Sequence, residues 1–562
     1  MTATDRDEEG PSVTANDQVR DLTDRTWEQL LDVSPLLGTF IGDERHDDRL
    51  PDLTEEGRAA EAAVFGEARR VAGDIDRSTL DETDVVTIEL LDAICDRFLT
   101  RLEHRIDRFE VANHMFGPGT LLAEIASVQQ ADTPDRLARF EARLRAFPDY
   151  LEAATEVARE AIATGVVAPR VVVERSVAQL ERILALAPED SPAMLPVAED
   201  AEARDKIAEV VRDVVLPAHA RFYEILRDEV LPAAPEAVGL STLPDGDGMY
   251  TAEILGWTSL PLDPKAVHEL GNDRFEAIQA ERFEIAARLG YASPAEAIAE
   301  RTARGENTAA TPGELVAMAE DQVRRSWEVA PRFFGRLPSA NCQVRRVEEF
   351  READSPFAFY NPPTEDGSRP GVYYINAYDL PDRALHHLAS VTYHEANPGH
   401  HFQIALEQEM PGRTPFRRYA GTFAGGAYAE GWGLYVERLA DEMGLYLDDW
   451  ERLGMLDNQA HRAARLITDT GIHALGWTRE AAISKLEEGG QTHTDSVIEA
   501  DRYIGMPGQA LCYMIGMIEI ERARAATQAH EAAAFSLQDF HDHVLAQGQL
   551  PLPSFRRVFG TE

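Results

Sequence analysis

Apolar residues recur at three- and four-residue spacing through most of this 562-residue chain, with charged residues between them. A chain so patterned buries its apolar stripes only as a stack of amphipathic helices. The spacing predicts helices over 19–37, 83–108, 133–164, 201–231 and 264–289, and again over 401–409, 428–443, 445–470, 478–486 and 515–534. Pro-rich breaks fall near 187–196 and 232–247, and no repeat of solenoid length is visible. One stretch departs from the pattern. Residues 341–347, 357–360 and 371–376 are short and β-like, the last (Gly-Val-Tyr-Tyr-Ile-Asn) most clearly so. The link 361–370 suits a hairpin loop. We expect a mainly α chain with a small antiparallel sheet, divided into a disordered acidic segment 1–18, a helical region 19–330 and a region 331–562 that carries the chemistry.

That chemistry is announced by His394-Glu395-Ala396-Asn397-Pro398-Gly399-His400-His401. Two or three imidazoles and a carboxylate within eight residues suit a metal ion with a base beside it. The spacing is a stretched form of the zinc motif in which two histidines lie four residues apart. In an unbroken helix His400 would point about 120° away from His394, and His401 would lie roughly 10 Å further along the axis. Pro398 removes that obstacle, because it has no N–H for the carbonyl four residues back and its ring clashes there. Gly399 adds backbone freedom. Two helical segments meeting at a break are therefore expected, the first spanning 381–397 with Asp379 as its cap. The break brings either His400 or His401 toward His394.

A catalytic zinc needs a third protein ligand and an open position. Glu430 is the candidate, in Tyr428-Ala429-Glu430-Gly431-Trp432-Gly433, after a Gly-rich turn over 421–426. Glu437, two turns on, is an alternative ligand or an acceptor that fixes a ligand imidazole. Glu395 follows the first ligand and is placed to take a proton from attacking water. The strand residues Tyr374 and Asn376 are candidates for holding an extended peptide along the sheet edge. Downstream, 469–477 and 502–513 mix Gly turns with His473, Arg502, Tyr503 and Tyr513, types that hold an oxyanion or a carboxylate or serve only as core and ion-pair residues.

Composition excludes some partners. Acidic residues number 99 against 55 basic, a formal charge of −44, and only Lys206, Lys265 and Lys485 are lysines. Such a surface repels nucleic acid and anionic lipid, and it resembles proteins that work in high salt. Cys95, Cys342 and Cys512 are scattered without paired spacing, which argues against a disulfide framework or a cysteine-held metal. Residues 1–16 show no apolar run, and no stretch approaches the ~20 apolar residues of a membrane span. A cytoplasmic location is the simplest expectation.

The set HEANPGHHFQ, YAEGWGLYVE, DTGIHALGW and RYIGMPGQALCY, in that order and with GVYYIN before it, resembles the family called domain of unknown function 885. That family is grouped with zincin-type metallopeptidases that use two histidines and a glutamate. The resemblance implies a large helical, zincin-like metallopeptidase fold with a central channel. It implies one zinc ion held by His394, His400 or His401, and Glu430, with Glu395 as base and with His473, Arg502, Tyr503 and Tyr513 facing substrate. His400, directly after the Gly hinge, is favoured as second ligand. The expected function is hydrolysis of short or unfolded peptides. A non-peptide amide or ester is the alternative substrate, and a non-catalytic, metal-stabilised helical binding protein the alternative class. Structural zinc sites usually close with four ligands and often use Cys, and none lies near the motif.

Overall fold

The computed structural model describes residues 14–347, 352, 356–363, 370–410 and 412–561. The chain is mainly helical with one three-stranded sheet among these residues. No described helix is long and apolar enough to cross a membrane.

Helix α1 (Ala15–Val33) starts inside the segment expected to be disordered. Thr14 accepts from the Asp17 N–H, and the Asp17 carboxylate accepts from the Thr14 N–H, a reciprocal cap at 3.2 and 3.1 Å. Residues 1–13 of that segment lie outside the described residues. The N-terminal helices bury their own apolar cluster, including Trp27, Phe65 and Ile94, against Phe416 and Ala420.

The part that positions the site is built on α2 (Pro264–Arg288), α3 (Pro312–Val329), α4 (Leu388–Glu395), α5 (His400–Gln408), α6 (Ala427–Glu442), α7 (Asp449–Leu475), α8 (His493–Gly505) and α9 (Cys512–Glu531). Helix α7 is buried over most of its length, so other helices surround it on every side. Helices α2 and α7 lie so close that a Cβ at Gly271 would stand 2.8 Å from the Leu466 Cβ. Helices α6 and α9 cross more tightly still. A Cβ at Gly431 would stand 2.4 Å from the Gly516 carbonyl carbon. This crossing explains a helix-interior glycine that otherwise costs about 1 kcal/mol against alanine.

Strands β1 (Cys342–Arg346), β2 (Ala358–Asn361) and β3 (Gly371–Ile375) form a sheet of order β1-β3-β2. The β2–β3 pair is antiparallel, as a hairpin requires, with Asn361 opposite Val372. Residues 364–369 of the connecting loop lie outside the described residues. The sheet as a whole is mixed, not antiparallel, because β1 runs parallel to β3. The stretch between β1 and β2 carries the chain past β3 to its far edge, and side-chain alternation carries no information about that step. The sheet rests on the motif helix: Tyr373 hydrogen-bonds Thr392 at 3.2 Å, and Thr392 donates to Gln322 of α3 at 2.8 Å.

The motif helix is shorter than its periodicity predicts. Two 3₁₀ turns, Leu380–Asp382 and Leu385–His387, precede α4, and Asp379 sits at φ 51° without a side-chain cap bond. Asn307 holds the second of these turns: its carbonyl oxygens take the N–H groups of Leu385 and His386, and its side-chain oxygen faces His386 Nδ1. Replacing Gly431 with Ala is expected to force α6 and α9 apart and cost about 1–3 kcal/mol. Chemical denaturation of the variant against the native chain measures this.

Candidate metal centre

Helix α4 ends at Glu395 and α5 begins at His400, so the break falls where Pro398 and Gly399 place it. The peptide Asn397–Pro398 is cis. A Cβ at Gly399 would stand 1.8 Å from the His394 carbonyl oxygen, so only glycine fits there. The Trp432 indole N–H donates to the Pro398 carbonyl at 2.9 Å and ties the turn to α6. The imidazoles of His394 and His400 end 4.7 Å apart, at right angles.

Glu430 completes the group. One oxygen, Oε2, lies 3.5 Å from His394 Nε2 and 3.6 Å from His400 Nε2. The three ligand atoms fall within 4.8 Å of one another. These separations are long for hydrogen bonds. They approach the ~3.4 Å between two ligands held at ~2.0–2.1 Å in a tetrahedron, the geometry of zinc. The donor set therefore fits a zinc ion. Side-chain exposures of 13% at His400 and 23% at Glu430, against 4% at His394, leave one face of the group open.

The third histidine does not join them. His401 projects to the opposite side, where its Nε2–H donates to the Ala340 carbonyl at 3.0 Å and Nδ1 accepts from the Tyr360 hydroxyl at 2.9 Å. Burial lowers its pKa to about 4. It is a neutral strut between α5 and the sheet.

Behind the group, His394 Nδ1–H donates to Glu437 Oε1 at 2.8 Å. This leaves Nε2 to face the metal position. Glu437 Oε2 accepts from Ser390 at 2.9 Å and from Gln459 at 3.4 Å. Glu437 thus orients a ligand and is not one itself. Gly433 makes the approach possible, since a Cβ there would stand 2.7 Å from His394 Nε2. Burial disfavours a charged His394, but the Glu430 and Glu437 carboxylates outweigh it and raise the ring to about 10. Burial likewise works against charge on Glu430, and the two histidines hold it well below the usual carboxylate range. The group asks for positive charge, which a proton on His394 supplies or a divalent ion replaces.

Glu395 makes no hydrogen bond or ion pair among the described residues. Its charge nonetheless acts on His394, Tyr373 and Cys342. Tyr513 of α9 reaches the centre, its ring stacked 6.4 Å from that of His394. Other candidates are engaged elsewhere. His473 Nε2–H donates to the Tyr503 carbonyl and Nδ1 accepts from the Leu240 N–H, at 3.0 and 3.3 Å. Burial lowers its pKa to about 4. The Tyr503 hydroxyl donates to Glu499 at 2.6 Å and accepts from Arg465. Arg502 is held by Glu499 and Gln509. Asn376 is fully buried, its amide donating to the Glu352 and Pro356 carbonyls and accepting from the Tyr378 N–H. Tyr374 stacks on Phe359 across the β2–β3 pair. None of these is brought to the histidines by a contact seen here.

A second imidazole–carboxylate group, His386, His387 and Asp457, lies deeper. Arg282 already pairs Asp457 at 2.6 Å, with His386 at 2.9 Å on the other oxygen. A guanidinium in that place competes with any metal, and the group bolts the segment before α4 to α2 and α7.

The family model "Bacterial protein of unknown function (DUF885)" matches residues 35–558, nearly the whole chain, so the chain belongs to that family. A solved structure described as a "putative lipoprotein" from Colwellia psychrerythraea is 25% identical, with a TM-score of 0.90 over 98% of this chain and 99% of that one. A second, described as a "putative lipoprotein of unknown function" from Shewanella oneidensis, is 19% identical, with a TM-score of 0.75 over 96% of this chain and 99% of that one. No curated protein matches the chain at a significant level.

Glu437→Gln is expected to weaken zinc binding by about 10- to 100-fold, read by competition with a chelator. Because the His394 proton must leave, zinc addition at pH 7 is expected to release about one proton. Affinity then rises with pH up to the ring's value of about 10. Proton release in weakly buffered solution measures this, and its absence would show the metal-free ring to be neutral.

Proposed function

We propose that this DUF885 protein is a zinc-dependent hydrolase that cleaves amide bonds in short or unfolded peptides. The observation that carries the proposal is the convergence of His394 Nε2, His400 Nε2 and Glu430 Oε2 across a helix break, with Glu437 locking the first imidazole. Two histidines and one carboxylate with an open face make a catalytic type of donor set, since structural zinc sites close with four protein ligands. A zinc ion held there supplies a Lewis acid and makes attacking water a nucleophile at neutral pH.

The chain's own groups perform the rest. Glu395 adjoins the first ligand in sequence and is unpaired among the described residues, so its carboxylate is available to accept the proton of the attacking water and return it to the leaving amine. The Tyr513 ring stands beside that of His394, and its phenol is the group we assign to the oxyanion that develops on the substrate carbonyl. Glu437, Ser390 and Gln459 hold the His394 ring still during these steps. The zincin-like character of the fold, and a channel that admits chains from solvent to the open face, belong to the same proposal.

Metal analysis of the purified protein is expected to find about one zinc per chain. Glu395→Gln is expected to keep the metal and reduce kcat by at least about 100-fold, the scale of a lost general base. A digest of a peptide library then reads the activity. A variant as active as the native chain, or a native chain that cleaves no peptide, would refute this reading in favour of a binding protein or of another amide or ester substrate.

A further inference from the structure

Resting on the hydrolase reading, we infer that the Tyr513 side of the centre binds a substrate carboxylate one or two residues beyond the bond that is cut. The natural substrates are then short peptides held by a free C-terminal acid or by an acidic side chain at that place.

The starting point is a charge anomaly. In a chain with a formal charge of −44, Arg465 of α7 and Arg502 of α8 share one carboxylate, Glu499, and Arg462 stands on α7 beside the same Tyr513 ring as Arg465. Glu499 pairs Arg465 at 2.9 Å and Arg502 at 3.4 Å. Among the described residues Arg462 forms no ion pair, and its hydrogen bonds go to Asn458, at 3.2 Å to the side-chain oxygen and 3.5 Å to the carbonyl. His461 beside them is neutral, because burial and the adjacent Arg465 lower its pKa to about 4. Three guanidinium charges therefore share two nearby carboxylates, Glu499 and, through Arg462, Glu437.

The donors are also unsatisfied. Arg462 Nε, Arg465 Nη1, Arg502 Nε and Asn458 Nδ2 are buried and have no acceptor among the described residues. Arg465 is 4% exposed as a whole residue. Buried guanidinium N–H groups are costly to leave without acceptors. These four donors, on the neighbouring helices α7 and α8, call for an acceptor from outside the chain.

Their location points to the substrate. The Arg465 guanidinium lies 4.2 Å from the centroid of the Tyr513 ring and that of Arg462 5.8 Å, and the other neighbour of this ring is His394. The charge of Arg462 also acts on Glu437, the partner of His394. One or two residues of extended peptide, about 3.5 Å each, span such a gap. A carboxylate is the acceptor an arginine fork takes best, with two parallel charge-assisted bonds. Arg502, a substrate-facing candidate from the sequence, is held by Glu499 and Gln509, and Arg465 is held by Glu499. Arg462, which forms no ion pair among the described residues, therefore carries this role, with the Arg465 charge beside it.

Three peptides decide the matter: an N-acetylated tripeptide with a free C-terminal acid, the same tripeptide as its amide, and an amide ending in Asp. The native, zinc-loaded protein is expected to show kcat/KM at least about tenfold higher for one of the two carboxylate-bearing peptides than for the neutral amide. Preference for the free acid identifies the C-terminus as the ligand, and preference for the Asp amide identifies the side chain. Arg462→Met, whose native residue forms no ion pair among the described residues, is expected to fold, as checked by thermal melting, and to lose most of the preference through KM. Arg462→Lys keeps the charge without the fork and is expected to recover part of it. Equal kcat/KM for all three peptides, or an undiminished preference in Arg462→Met, overturns the inference. If nothing is hydrolysed, the hydrolase reading fails. Calorimetric titration of the zinc-loaded Glu395→Gln protein with the same peptides then decides the carboxylate site separately, tighter binding of a carboxylate peptide supporting it and equal binding overturning it.

Discussion

The candidate centre depends on one buried contact, the Glu437 carboxylate on His394 Nδ1. A buried carboxylate is expensive unless it is paired and hydrogen-bonded. Here the imidazole supplies the charge and Ser390 and Gln459 the remaining donors. The Tyr446 hydroxyl donates to the Glu437 carbonyl at 2.8 Å and fixes the backbone below it. This contact joins α4, α6 and α7 at one point, and it decides which nitrogen of the first histidine faces the metal position. The missing side chain at Gly433 is part of the same device, since the ring occupies the volume a Cβ would take.

Much of this was legible in the sequence. The helix spans named from periodicity fall within about five residues of observed helices, but the long helices Glu55–Asp74, Arg170–Ala185 and Pro312–Val329 are not among them. Pro398 and Gly399 forecast the break. The spacing leaves His400 and His401 as alternatives beside His394, and Glu430 is a candidate from its place after the Gly-rich turn. Periodicity failed where tertiary hydrogen bonds outweighed it. Asn307 lies about eighty residues before the turn Leu385–His387, and nothing local shows that it takes that turn's N–H groups. The Thr14 cap was hidden by the acidic composition around it, which reads as solvated chain unless the reciprocal bond with Asp17 is considered.

The two adjacent histidines show the limit more sharply. His400 and His401 have the same chemistry and neighbouring positions, and their separation into a member of the candidate metal group and a strut rests on partners distant in sequence. The Tyr360 hydroxyl and the Ala340 carbonyl claim one ring, and Glu430 faces the other. His473, Tyr503 and Asn376 illustrate the converse. Each is a chemically competent side chain whose donors and acceptors are consumed by backbone groups or neighbouring side chains far away in sequence. The arginines of α7 escaped notice because Arg462 and Arg465 look like ordinary helix-surface charges until burial shows that only one of them forms an ion pair among the described residues.

The crossing of α6 and α9 has a mechanical consequence. Gly431 and Gly516 meet backbone to backbone, with no side chain between them to act as a bearing. Glu430 adjoins one glycine, and Tyr513 stands one turn before the other. Neither helix can roll or slide without carrying its neighbour along, so Glu430 and Tyr513 move as a single rigid pair, to which the Glu437 contact also fastens His394.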